Sequence, residues 1–162
     1  MGKSDLPLNG QTALVTGASS GIGRRFAAIL TAVGAKVVVA ARRTDRLAAL
    51  VAEIEGEGGM AAAVELDVAD PDSIAAAIDA AERAFGRITI LINNAGVADV
   101  ADATDIGLAA IDHMTTVNLR GPFLLAREVA RRLIADGAPG RIVNVSSIVA
   151  YTYDGHVPVA YY

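Results

Sequence analysis

A chain of 162 residues, 53% hydrophobic and 20% charged, is long enough to bury one core and too short to argue for two. Its 14 basic and 18 acidic residues leave a formal charge of −4, without the basic bias that nucleic acid or an anionic membrane would need. No cysteine is present, which excludes a disulfide framework, thiolate metal sites and thiol chemistry.

The opening stretch MGKSDLPLNGQ has no apolar signal-peptide core, and Leu6 stands where a myristoylation signal needs Ser or Thr. The longest weakly polar run, residues 26–35, meets Lys36 well short of a membrane span. A cytoplasmic protein with no membrane partner is expected. The first predicted strand is TALVT, 12–16, and it runs into TGASSGIG, which sets Gly17, Gly21 and Gly23 at a strand-to-helix turn. Glycines there allow a tight turn and let backbone N–H groups approach a phosphate whose charge the helix N-terminus favours. The spacing is G-x-x-x-G-x-G rather than the commoner G-x-G-x-x-G.

A helix is predicted at about 21–33, then the strand KVVVAA at 36–41, which ends on Ala41 and is followed by Arg42 and Arg43. Next come a helix at 44–56 and the strand AAAVEL at 61–66, which leads to Asp67 and Val68. Asp70 and Pro71 form an N-cap followed by a first-turn proline, opening a helix at 71–85 that Gly86 should stop. The strand ITILIN, 88–93, runs into NNAG, Asn93 to Gly96.

One long helix is predicted over 107–136, with Leu108, Ile111, Met114 and Val117 on its buried face and Asn118 beside them; Gly137 should end it. Pro122 lies four residues after Asn118, and proline has no N–H to offer the Asn118 carbonyl. That carbonyl is expected to be free to hold a water, and the helix to kink there. The last strand, RIVNVS at 141–146, ends at Ser146 and Ser147, and the sequence closes on GHVPVAYY.

Strands alternating with helices, most strands reading as continuous apolar runs, predict an α/β fold. The expectation is a single Rossmann-like domain over 1–162: a doubly wound parallel sheet, helices on both faces, strand order 3-2-1-4-5. RIVNVSS reads as an interior strand yet falls at the sheet edge in that order, so the fold is expected to be incomplete on its C-terminal side. Arg42-Arg43, Asp67-Val68, NNAG and Ser146-Ser147 each follow a strand, at the sheet edge where open α/β proteins bind ligands.

With TGASSGIG, NNAG, "VN" ahead of a helical proline, "VSS" and the closing Tyr161-Tyr162, the chain from about Gln11 onward resembles the short-chain dehydrogenase/reductase family. The resemblance implies an oxidoreductase that transfers hydride between a nicotinamide and a carbonyl or alcohol. It implies cofactor contacts at Gly17, Ser19, Ser20, Gly21, Ile22 and Gly23. Further contacts are implied at Asp67 and Val68 for the adenine, and at Asn93, Asn94, Ala95, Gly96 and Tyr161.

The end of the second strand bears on the choice of cofactor. A carboxylate there would bind the ribose 2′-hydroxyl of NAD; Ala41 with Arg42 and Arg43 instead suits the 2′-phosphate of NADP, and NADP is expected over NAD. By the same resemblance Ser147 orients the substrate oxygen, Tyr161 exchanges its proton and Asn118 serves a proton relay. A small-molecule carbonyl or alcohol substrate is expected, with no nucleic-acid partner, and a homo-oligomer, tetramer or dimer.

A tyrosine base needs a nearby cation to stabilise its phenolate. The family supplies a lysine one helical turn later, at what would be position 165. The sequence is therefore expected to be cut inside its catalytic motif. A non-catalytic dinucleotide-binding fragment, and a relative carrying out NADP-assisted isomerisation or dehydration, are the alternatives. Neither His113 nor His156 belongs to a ligand cluster, so no metal is expected.

Overall fold

The computed structural model describes residues 6–99, 101–102 and 104–147. Five parallel strands, β1 (Thr12–Thr16), β2 (Lys36–Ala41), β3 (Met60–Glu65), β4 (Ile90–Asn93) and β5 (Arg141–Asn144), form one sheet in the order β3-β2-β1-β4-β5. This is the doubly wound, Rossmann-like arrangement the sequence predicts. The register pairs Thr16 with Ala40, Ala41 with Glu65 and Asn93 with Asn144, so the carboxyl ends of the strands open along one edge of the sheet.

Alternation along the strands sends successive side chains to opposite faces. Leu14, Val38, Ala40 and Leu91 pack on one side with Ile74, Ile78, Leu125 and Val129, from helices α3 (Pro71–Phe85) and α5 (Gly121–Ala135). Ala13, Val15, Val37, Val39, Ile90 and Ile92 pack on the other with Ala27, Leu47, Leu50 and Ile54, from α1 (Gly21–Ala32) and α2 (Thr44–Gly56). A strand buried on both faces cannot alternate apolar with polar, which is why β1, β2 and β4 read as unbroken apolar runs.

The Asp70 carboxylate caps α3 by accepting from the Asp72 N–H at 2.9 Å, and Gly86 ends the helix with φ 84°. Three strands differ slightly from expectation: β3 begins at Met60, β4 begins two residues later than predicted, and β5 ends at Asn144. The pairing itself reaches further, because Leu66 N–H bonds the Ala41 carbonyl, Thr89 N–H the Thr12 carbonyl and Val145 N–H the Asn93 carbonyl.

The predicted single helix over 107–136 is instead α4 (Leu108–Thr115), a π-turn (Thr116–Arg120) and α5. A proline inside an α-helix collides with the carbonyl four residues back. The observed register widens before Pro122, where Gly121 N–H bonds the Thr116 carbonyl. The expected kink is thus a change of helical register.

On the α3/α5 face, Arg132 pairs with Asp79, Glu82 and Glu128. Arg87 joins Glu82 to Asp136 and so ties the end of α3 to the end of α5. Among the described residues β5 pairs only with β4, and no helix is long and apolar enough to cross a membrane.

Candidate functional site

At the carboxyl ends of β1 to β4 lies a cleft of about 680 Å³. Its first wall is the turn after β1, where Gly17, Ser19, Ser20, Gly21 and Ile22 line the opening. Gly23 sits behind that wall. A Cβ on it would come 2.5 Å from both the Gly17 carbonyl oxygen and the Asn94 side-chain nitrogen, so only glycine lets α1 start this close to β1.

The NNAG segment after β4 is bolted to the end of β1. The buried Thr16 hydroxyl accepts the N–H groups of Asn94 and Ala95, both at 3.0 Å, and donates to the Ile92 carbonyl. The Asn94 side chain donates to the Thr16 carbonyl at 3.0 Å. Asn94, Ala95 and Gly96 line the cleft.

Asn93 does not line it. Its side chain, 3% exposed, donates to the Asn144 side chain on β5 at 2.9 Å and to the Pro122 carbonyl at 3.2 Å. It ties β4 to β5 and to the first turn of α5.

Beyond β2, Arg42 and Arg43 both line the cleft and are exposed. The Arg43 guanidinium donates to the hydroxyls of Ser19, at 2.9 Å, and Ser20, at 3.2 Å, spanning the turns after β1 and β2. Arg42 makes no side-chain hydrogen bond or ion pair among the described residues.

Asp67 and Val68 form the wall beyond β3. One Asp67 carboxylate oxygen accepts the Ala69 N–H at 2.9 Å, and the Asp67 N–H is taken by the Ser73 hydroxyl at 2.9 Å. The second carboxylate oxygen and the Val68 N–H have no partner among the described residues. A free acceptor and a free donor on adjacent residues match the edge of an adenine, and an unpaired guanidinium beside two serine hydroxyls matches a phosphate.

Asn118 lies on the π-turn, is exposed and does not line the cleft. Its side chain accepts the Val97 N–H at 2.9 Å and donates to the Val97 carbonyl at 2.8 Å, bracing the residue that continues the cleft wall after Gly96. Ser147 sits past the end of β5, exposed and outside the cleft lining. Tyr161, Tyr162 and His156 lie outside the described residues.

Val97 and Val117 line the cleft without having been anticipated there. Val97 adjoins the NNAG motif, which is the signal that could have pointed to it. Val117 reads in the sequence as an ordinary core position of a helix. Among the described residues no group of three or more His, Asp or Glu side chains could hold a metal ion.

The sequence profile of the short chain dehydrogenase family matches residues 11–161. The D-threitol dehydrogenase of Mycolicibacterium smegmatis is 40% identical over 154 residues, covering 94% of this chain and 59% of that protein. A short-chain type dehydrogenase/reductase from Mycobacterium marinum superposes with a TM-score of 0.90 at 34% identity, covering 98% of this chain and 64% of that one. A gluconate 5-dehydrogenase from Burkholderia cenocepacia J2315, solved with NADP and tartrate, superposes with a TM-score of 0.86 at 35% identity, covering 95% and 60%. This chain spans a little over half the length of such curated relatives. From the glycine turn through the NNAG segment to the tyrosine pair, the chain belongs to the short-chain dehydrogenase family.

Proposed function

We propose that the chain carries the cofactor-binding part of an NADP(H)-dependent oxidoreductase that moves hydride between the nicotinamide and the carbonyl or alcohol carbon of a small molecule. The observation that carries this reading is the end of β2, where Ala41 offers no carboxylate to a ribose hydroxyl. In its place Arg42 stands without a partner among the described residues and Arg43 is held by Ser19 and Ser20. The likeness to a gluconate 5-dehydrogenase solved with NADP supports it.

When bound, the cofactor supplies the hydride acceptor or donor. The chain's own part is to seat the phosphates at the glycine turn, the 2′-phosphate at Arg42 and Arg43, and the adenine at Asp67 and Val68. In the oxidising direction the substrate C–H bond breaks with its electron pair leaving as hydride. The hydroxyl proton passes to Tyr161, Ser147 orients the same oxygen, and Asn118 relays the proton outward. The relation to a D-threitol dehydrogenase favours a polyol or its ketose as substrate. A homo-oligomer, dimer or tetramer, is part of the reading.

The test is calorimetric titration of the wild type, Arg42→Ala and Arg43→Ala with NADPH and NADH. Loss of one charge-assisted contact of about 1.5–3 kcal/mol should weaken NADPH roughly 10- to 150-fold while leaving NADH nearly unchanged. Equal weakening of both nucleotides, or of neither, would sink the 2′-phosphate assignment.

A further inference from the structure

The backbone between β3 and α3 is held from outside as well as from within. The Asp67 carboxylate and the Ser73 hydroxyl fix its inner side. From the neighbouring π-turn, the Arg120 guanidinium donates to the Ala69 carbonyl at 3.0 Å. That carbonyl precedes the N-cap of α3, whose own carbonyl takes the Ile74 N–H, so the helix provides no donor for Ala69.

The next residue of the π-turn adds an independent constraint. A Cβ on Gly121 would fall well inside van der Waals contact with the Val68 carbonyl oxygen and 3.1 Å from the Val68 Cβ. The carbonyls of Val68 and Ala69 therefore both abut this short stretch of helix. The Val68 carbonyl shares its peptide unit with the Ala69 N–H that the Asp67 carboxylate accepts, so fixing these carbonyls constrains the short loop that carries the Val68 N–H and the second Asp67 oxygen.

We infer that Arg120 is a positioning residue for the adenine end of the cleft. Acting through the Ala69 carbonyl, it holds the Asp67–Val68 edge in the orientation that reads a purine, and it ties that edge to the same π-turn that carries Asn118. Gly121 permits the contact by leaving room for the Val68 carbonyl. The inference rests on the cofactor reading above for its ligand, while the hold on the loop is a property of the protein alone.

Arg120→Met keeps the aliphatic stem and removes the donor; Arg120→Lys restores one. Amide hydrogen exchange without ligand should show Ala69 and Asp70 exchanging several-fold faster in Arg120→Met and close to wild type in Arg120→Lys. Calorimetry should then show 2′,5′-ADP, which reaches only the adenine half, bound about three- to tenfold more weakly by Arg120→Met. Reduced nicotinamide mononucleotide, the other half, should bind unchanged.

A merely structural role would weaken both halves together and lower the melting temperature of the free protein, and that result overturns the inference. Unchanged 2′,5′-ADP affinity or unchanged exchange at residues 69–70 also overturns it. A wild type that binds neither NADPH nor 2′,5′-ADP overturns the cofactor reading and the nucleotide role of Arg120 together, and the exchange arm still shows whether Arg120 holds the loop. Should Arg120→Met fail to fold, Arg120→Gln, too short to reach the carbonyl, replaces it.

Discussion

Gly23 shows how much a single missing side chain does at this site. Its place against the Gly17 carbonyl and the Asn94 side chain leaves no room for a methyl group. Either α1 must move away from β1 or the turn must deform. Gly23→Ala is expected to lower stability by roughly 1–3 kcal/mol through overpacking and to remove nucleotide binding, checked by urea denaturation alongside NADPH titration; a variant that still binds like wild type would show the turn to be more compliant than its contacts imply. Asn118 teaches a different lesson. Pro122 and the helical pattern mark it in the sequence as unusual, and the structure finds a use for its side chain in gripping both backbone groups of Val97. No spacing rule could reveal that, since Val97 is 21 residues away and meets Asn118 only through the fold.

Among the elements, α3 and α5 are joined by a charge network whose centre, Arg132, is 23% exposed and faces three carboxylates. Although burial opposes its charge, the hydrogen bonds it donates to Glu128, Asp79 and Glu82 hold it protonated. The hydrogen bond from Arg132 in turn holds the Glu128 carboxyl below its ordinary value of 4.5, against a smaller opposing effect of burial. A carboxyl depressed in the folded state contributes stability above its unfolded pKa and loses it as pH falls through the folded value. Glu128→Gln should therefore flatten the acid limb of the stability curve below about pH 4.5, read from urea midpoints across pH; an unchanged limb would mean the pair is worth nothing in solution. At neutral pH Arg132→Met is expected to cost about 1–2 kcal/mol, since each partly exposed pair contributes modestly. The π-turn belongs to this scale too. Pro122 makes the sequence announce a disturbance in the helix, but whether it becomes a bend or a wide turn depends on what packs there, and Val68, Ala69 and Val97 are what pack there.

For the molecule as a whole, the two sides of the sheet end differently. On the β5 side Ile142 and Val143 are 39% and 44% exposed, and the α4–π–α5 helix presents Leu119 and Phe123 at 68% and 63%. Among the described residues β5 has no partner on its outer side, and a strand edge beside exposed apolar side chains favours association. The 162-residue chain is expected to show a sedimentation coefficient that rises with concentration, and Ile142→Lys to suppress the rise by placing a charge on the edge; a wild type that stays monomeric throughout would count against the prediction. Much of the architecture was legible from the residues in order. Unbroken apolar strands, the Asp70-Pro71 and Gly86 signals and the glycine turn depend on local backbone preference and on period, which neighbours in sequence determine. So does the identity of the loops that ring the cleft, because parallel topology sends every strand's carboxyl end to one edge. What local preference could not decide were contacts made across the sheet: Thr16 holding the NNAG backbone, Arg43 reaching Ser19 and Ser20, Asn93 tying β5 to α5, and Arg120 reaching Ala69. Those contacts join residues far apart in the chain, and only the packing of two helical layers on a twisted sheet brings their polar groups within hydrogen-bonding distance.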